Sequence, residues 1–451
     1  MVYPSTISSI FTIYSLMTSA LHSLGHKVAK ALEDYRFIRI ISHNDGDGIT
    51  AAGIMSSACL RSNIIFQTSI VSALNQQVID RVNSHVYGKG GAVLFCDMGS
   101  GQPELLEQVK DDVIIIDHHQ IMGDHSGRVQ INPMMVDIDG SRFLSASGTA
   151  YFVARAMGNN VDLAGLALTG AIGDKQTMEG ANAEILREAV DAGVVSVKPG
   201  LRIIDGDVGE VLLTLTEPYL DTAGDKAATN HFLDELGISG TLQDMGKEEL
   251  ARLASALALK IIARAELATV QSLVGDVLIL NREVVPNIYS LEWMVNCCGN
   301  VDQPGLGLSL CMRDAGVVDE VRALSSRYQH TIVEQVRAAQ VLVKDMEHIR
   351  YVALENVTGT GIIGGTLIRY VYPDKPFITL NKVENMVKVS ARGTRNLVDS
   401  GLNLAVAMRE AAKGVGGQGG GHDIASGASI PLGMSEEFLS AVNSIVGGQL
   451  A

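Results

Sequence analysis

Residues Phe37–Gly48 read FIRIISHNDGDG. The apolar half predicts a strand over Phe37–Ser42, and the small residues of Gly48–Arg61 predict a helix behind it. Further along, Ala92–Cys96 (AVLFC) and Val113–Ile116 (VIII) are uninterrupted apolar runs, as strands buried on both faces require. Between them Gln102–Lys110 reads as a helix entered through Pro103, a residue suited to the first helical turn. Strand and helix therefore alternate from about Arg36 to Gly173, which predicts a doubly wound parallel sheet in an α/β fold.

The polar residues of this region recur at one structural position. His43, Asp45 and Asp47 follow the first strand, Asp97 follows another, and Asp117, His118 and His119 follow a third. In open parallel sheets ligands bind outside the carboxyl ends of the strands. If the segment after Phe37–Ser42 stays extended, residues spaced by two point the same way, so His43, Asp45 and Asp47 face one spot. Taken alone, DGDG is a solvated turn and a single Asp after a strand is a helix cap. Taken together with Asp174 in AIGDK, they place four carboxylates (Asp45, Asp47, Asp97 and Asp174) in one crevice, where they could not all ionise unaided. Two divalent cations would supply the compensating charge. The mixture of imidazole and carboxylate donors favours manganese over calcium or magnesium, with magnesium the second choice.

The remaining chain bounds this reading. At 451 residues more than one domain is expected. The formal charge of −15 repels a polyphosphate, so a nucleic-acid substrate needs a local basic groove. Residues 381–413 supply one, with six Lys/Arg against three Asp/Glu. Five cysteines without a C-x-x-C pair argue against structural zinc and against a disulfide framework, and fit buried thiols in a reducing cytoplasm. Ile7–Leu24 is interrupted by Ser, Thr and His, so it reads as an amphipathic helix, not a signal or membrane anchor. Residues 31–198 form the expected metal-binding domain, behind a helical extension over 1–30. Residues 199–348 read as a mostly helical middle region, with helices at Lys247–Ala268 and Val318–Lys344, the latter a rigid connector. Residues 349–451 read as a smaller α/β domain with strands in YVALENV, PFITLNK and MVKVSA, a helix at Leu404–Lys413 and then a glycine-rich loop. Seven of the fourteen residues Gly414–Gly427 are glycine, which lets backbone N–H groups approach a phosphate.

The pattern H-x-D-x-D-G, a later Asp, the tripeptide DHH and a further Asp resembles the DHH phosphoesterase superfamily. GGGHDIASGASI, with SAR upstream, resembles its DHH-associated domain. The resemblance covers roughly residues 30–195 and 350–435, and the layout is most similar to archaeal RecJ-like nucleases, including the GINS-associated type. It implies that His43, Asp45, Asp47, Asp97, His118 and Asp174 hold two metal ions, with Asp97 between them. It further implies that His119 faces the phosphate or leaving group and that Asp117 orients an imidazole. Ser390, Arg392, Gly420, Gly421 and His422 would grip phosphate. Asp124, His125, Asp137 and Asp139 have no counterpart in the pattern and read as surface loop residues. The implied activity is metal-dependent exonucleolysis of single-stranded DNA or RNA, with GINS or other replication and repair proteins as partners. A phosphodiesterase of cyclic dinucleotides or short oligonucleotides, and a replisome scaffold, are the alternatives.

Overall fold

The computed structural model describes residues 4–451, the side chains of residues 4–17 and Lys89 excepted. The chain opens with α1 (Pro4–Glu33), then β1 (Phe37–His43), α2 (Gly46–Arg61), β2 (Ile65–Val71), α3 (Gln76–Asn83) and β3 (Gly91–Cys96). It continues with α4 (Pro103–Leu106), β4 (Asp112–Ile116), β5 (Val129–Ile131), α5 (Ala146–Met157), α6 (Ala164–Gly173), α7 (Gly180–Asp191) and β6 (Val195–Leu201). Helices α8 (Val208–Thr214), α9 (Lys226–Leu236), α10 (Lys247–Ile261) and α11 (Leu267–Ser272) lead to β7 (Val274–Leu280), α12 (Ile288–Asn300), α13 (Pro304–Cys311) and α14 (Val318–Gln340). The last stretch holds β8 (Lys344–Asp345), β9 (Arg350–Glu355), α15 (Thr360–Tyr370), β10 (Phe377–Val383) and β11 (Met386–Arg392). It closes with α16 (Arg395–Asp399), α17 (Leu404–Gly414), β12 (Gln418–Gly421), β13 (Ala425–Pro431) and α18 (Ser435–Gln449).

These elements form two compact units. One comprises the residues up to Lys198 together with Leu278–Ser325, and the other comprises Pro199–Val277 together with Ser326–Ala451. The stretch 199–348, expected as one helical middle region, is therefore divided between them. The reason lies in the packing: Leu278, Ile288, Leu291, Val295, Leu310 and Val321 are buried in the same core as α2, α5 and α6.

In the first unit five parallel strands run in the order β2-β1-β3-β4-β5. β1, β3 and β4 have the apolar runs expected of strands covered on both faces. The order reverses between β1 and β3, the switch point at which such sheets open a crevice. From Leu21 onward α1 is docked, with Leu21, Val28 and Leu32 fully buried. Among the described residues no helix is long and apolar enough to cross a membrane.

Arg313 fastens Leu278–Ser325 to the rest of this unit. Its guanidinium donates to Glu283 Oε1 at 2.9 Å and to Asp162 Oδ2 at 2.6 Å. Arg61 meets Asp162 from the other side at 2.7 Å. Although burial pushes its acid up, the two guanidiniums hold Asp162 down at about 2. The Glu283 carboxyl, 1% exposed, is pushed up by burial despite Arg313.

The second unit carries a six-stranded mixed sheet in the order β12-β13-β11-β10-β9-β8, in which only β9 and β10 run parallel. Ile378, Leu380, Val387, Val389 and Ile430 alternate onto one face and meet Leu404, Met408, Phe438 and Val442 of α17 and α18. Arg369 of α15 donates to Glu217 at 3.1 Å, tying in the α8–α11 segment. Two local expectations are corrected. Lys247–Ala268 is not one helix: α10 stops at Ile261, and α11 restarts behind Glu266, which is extended. The glycine-rich run is not all loop, because Gln418–Gly421 pairs with Ser426–Ser429 as an edge strand.

Candidate metal centre

β1 ends at His43, and the chain turns into α2 earlier than expected, at Gly46. Asp45 is consequently the N-cap of α2, accepting from Gly48 N at 2.9 Å, and Asp47 lies inside the first helical turn. His43, Asp45 and Asp47 thus do not share one extended face. His43 Nδ1 is 2.8 Å from Asp45 Oδ2. Asp47 points instead at the start of α5, where Ala146 N and Ser147 N donate to its two oxygens at 2.7 and 3.0 Å. Gly170 of α6 makes room for that carboxylate, since a Cβ there would collide with Asp47 Oδ1 and Ser147 Oγ.

Asp97, directly after β3, adopts a left-handed backbone with φ of 57°. That conformation is costly outside glycine and clusters at working sites. The Asp97 carboxylate is buried, and neither oxygen has a hydrogen-bond donor. Oδ2 is 3.5 Å from His43 Nδ1, and Oδ1 is 3.2 Å from His118 Nε2. His118 Nε2 also lies 3.4 Å from Asp174 Oδ2 and 3.7 Å from Asp47 Oδ2. Two of the groupings of ligand atoms are therefore His43–Asp45–Asp97 and Asp47–His118–Asp174, linked through the two oxygens of Asp97.

A supporting layer fixes the imidazoles. His118 Nδ1 donates to Gly140 O at 2.7 Å, which turns Nε2 toward the carboxylates. Asp117 accepts from Ser100 N at 2.9 Å, His118 N at 2.7 Å, His119 N at 3.2 Å and His119 Nδ1 at 2.8 Å. These contacts and the His119 charge outweigh burial and hold Asp117 well below the usual carboxylate range, while His119 is raised by Asp117 against its own burial. Asn132, at the end of β5, donates to Ser100 Oγ at 3.0 Å and to His119 O at 2.9 Å, joining three strand-end loops. His125 is a correction: it is not a surface residue but 6% exposed, bonded to the carbonyls of Ser100 and Met122. Asp124, Asp137 and Asp139 are exposed, as expected.

The donor set suits divalent cations. Burial and the Asp97 carboxylate push Asp47 up, and burial with Asp47 pushes Asp174 well above the usual range. Burial would lower His43 and His118, yet the carboxylates around them hold both well above normal. Asp45 goes down, because the His43 charge outweighs its burial. Buried anions without donors need a cation nearby, and Asp97 and Asp174 Oδ2 are such atoms.

Four of these groups share one sign of pH dependence, whereas the lowered Asp45 and Asp117 act oppositely and only in acid. Asp47, Asp174, His43 and His118 all bind protons more tightly folded than unfolded. Their stabilisation is therefore present below the unfolded pKa values and is lost as pH rises through the folded ones. Divalent cations take the deprotonated groups. Mn2+ binding is thus expected to release protons, read as calorimetric heats that change with buffer ionisation enthalpy. The rise in melting temperature on adding Mn2+ should be larger at about pH 8 than at about pH 6. A rise largest at the acid end would contradict this.

In the second unit Ser390 and Arg392 lie on β11, and Gly420 and Gly421 on β12, with β13 between them: Ser390 pairs with Gly427, and Gly427 with Gly420. His422 N donates to Ala425 O at 2.8 Å, and Ala425 pairs with Arg392. Four of the five residues expected to grip phosphate are thus on neighbouring strands of one sheet, and His422 begins the turn that joins β12 to β13.

Comparison with known proteins agrees with this arrangement. The DHH family, N-terminal domain, matches residues 37–171, and the DHHA1 domain matches residues 371–448. An uncharacterized protein of Methanocaldococcus jannaschii is 32% identical over 438 residues, covering 94% of this chain and 98% of its own. Two solved structures share the fold. RecJ of Thermus thermophilus in complex with Mn2+ has a TM-score of 0.58 at 14% identity, with 95% of this chain covered. This chain spans only 55% of that RecJ. CDC45 of Entamoeba histolytica has a TM-score of 0.65 at 13% identity, with 97% of this chain and 99% of the other covered. Motif residues gathered at the carboxyl ends of a parallel sheet, and a kinship running through nearly the whole chain, make it a member of the DHH phosphoesterase superfamily that pairs a DHH domain with a DHHA1 domain.

Proposed function

We propose that the chain is a phosphodiesterase dependent on two divalent ions, manganese by preference, that removes mononucleotides from the end of single-stranded DNA or RNA. The observation that carries this reading is the pair of ligand triplets joined through Asp97. His43, Asp45 and Asp97 would hold one ion, and Asp47, His118, Asp174 and Asp97 the other. When bound, the ions supply charge stabilisation to the attacking and non-bridging oxygens at phosphorus. His119, held at Nδ1 by Asp117, exchanges a proton with the leaving group through Nε2. Ser390, Arg392 and His422, with the backbone of Gly420 and Gly421, hold phosphate, Arg392 by paired N–H donors. Hydrolysis cleaves one P–O bond and adds one water per nucleotide released.

Single strands are favoured over duplex, because an acidic surface rewards a stiff, highly charged duplex poorly while a strand end can track a local basic stretch. Low aromatic content, 5% with one Trp, supplies few stacking platforms, and this supports a second reading, hydrolysis of cyclic dinucleotides or very short oligonucleotides. The test is an end-labelled linear strand beside the same sequence circularised, each with Mn2+ and with excess chelator. Stepwise loss of the linear strand alone, abolished by chelator and suppressed by salt, is the expected outcome. Equal cleavage of both would mean an endonuclease. Inert strands beside rapid turnover of a cyclic dinucleotide would promote the second reading. Inertness toward all of them would favour a scaffold for replication proteins such as GINS.

A further inference from the structure

We infer that Glu292 of α12 is a positioning residue of the metal centre, contributed by a segment outside the span matched by the DHH domain. The inference rests on the two-ion reading above. α12 packs against both α2 and α6. Glu292 is 8% exposed, and its Oε1 lies where two ligand-bearing segments meet. A Cβ built on Gly46, between Asp45 and Asp47, would be 3.5 Å from that oxygen; one built on Gly173, immediately before Asp174, would be 3.4 Å from it. The Gly173 position is itself 3.9 Å from Asp47 N. The carboxylate thus wedges between the start of α2 and the end of α6.

A second contact set pins the same helix to the same loop. Asn44 Nδ2 donates to Gly299 O at 3.2 Å. A Cβ on Gly299 would run into Asn44 O, so this approach requires glycine. α12 therefore touches the segment between His43 and Asp47 along its length, at Glu292, at Asn296 near Gly46, and at Gly299. The wedge fixes the spacing of Asp45 and Asp47 from Asp174. Helix stability does not explain a carboxylate here. It is favoured at the amino end of α2 but opposed at the carboxyl end of α6, by similar amounts.

The test compares wild type, Glu292→Gln and Glu292→Asp by direct Mn2+ titration, followed by calorimetry and by the electron paramagnetic signal of free Mn2+. Melting of the metal-free proteins is measured alongside. Gln keeps the shape and removes the charge, whereas Asp keeps the charge and shortens the reach. Each is expected to weaken Mn2+ binding by about 10-fold or more, as partners that orient metal ligands do. The metal-free melting temperature should move little. Both variants binding Mn2+ like wild type, or losing only metal-free stability, would reduce Glu292 to a packing residue and overturn the inference alone. A wild type that does not bind Mn2+ would overturn the two-ion reading and this inference with it.

Discussion

Asp97→Ala is expected to lower kcat/KM on a single-stranded substrate by on the order of 10³-fold or more, beyond the 10–100-fold typical of residues that merely orient ligands. One carboxylate faces both triplets, with Oδ1 toward His118 and Oδ2 toward His43, so a single truncation would disturb both ions of the proposed pair. Folding should survive. The Asp97 side chain has no hydrogen-bond donor to lose, and the left-handed backbone, which suits Ala less well than Asp, adds a modest cost at this one residue. Asp97→Asn separates charge from shape and should fall almost as far, because an amide cannot balance a dication. Mn2+ titration should show weakened binding at both sites. A near-normal turnover with an intact melting curve would defeat the two-ion reading.

Arg313→Met is expected to produce the largest loss of stability, about 3–5 kcal/mol, the cost of breaking a buried pair by removing one partner. Glu283 would be left buried with no guanidinium bonded to it and only the more distant charge of Arg61 acting on it. Arg61 keeps Asp162 compensated, so the damage falls on Glu283. Losing Arg313 raises the folded pKa of Glu283 further above its unfolded value. The deficit should therefore be smaller in acid and grow as pH rises through that folded value. Urea denaturation at several pH values reads it directly. The double variant Arg313→Met with Glu283→Leu should recover much of the loss, since an apolar replacement of the whole pair removes the stranded charge. A single variant that shifts the midpoint by less than about 1 kcal/mol would mean that the cluster is solvated and weak.

The parts of the fold legible in the sequence were those under the strongest burial constraint. β1, β3 and β4 are covered on both faces and show as apolar runs, broken in β1 only by Arg39, and a residue just past such a run faces the crevice outside the strand ends. β2 was not legible, because as an edge strand it mixes Ile and Phe with Gln, Thr and Ser and is nowhere fully buried. β5 is three residues long and shows no period. The ligand candidates were legible for the same positional reason as the strands. Ser100, Asn132, His125, Gly170 and Glu292 were not, because each matters only through a neighbour far away in sequence. Gly170 is an ordinary helical glycine until Asp47 is placed against it. Asn132 reads as a turn residue until His119 O and Ser100 Oγ come within its reach. The alternation of His43, Asp45 and Asp47 pointed to a shared site, but by an extended backbone the chain does not use: α2 starts at Gly46.

The first unit is interrupted by Pro199–Val277 and finished by Leu278–Ser325, and this has a consequence for synthesis. A nascent chain released as far as Val277 already holds His43, Asp45, Asp47, Asp97, His118 and Asp174. It still lacks α12 and α13, so the sides of α2 and α6 that those helices cover remain open, and Arg313 does not yet exist to hold Asp162. Looping out the intervening residues costs little entropy, because closure depends only weakly on loop length. The delay is costlier in another way. Until Ser325 has left the ribosome, the half-built unit presents apolar surface of the kind chaperones hold and neighbouring chains aggregate through. Productive folding of the amino-terminal half is therefore set by how soon the middle of the chain arrives, and a pause in translation just before Leu278 would harm it more than one at the end of α18.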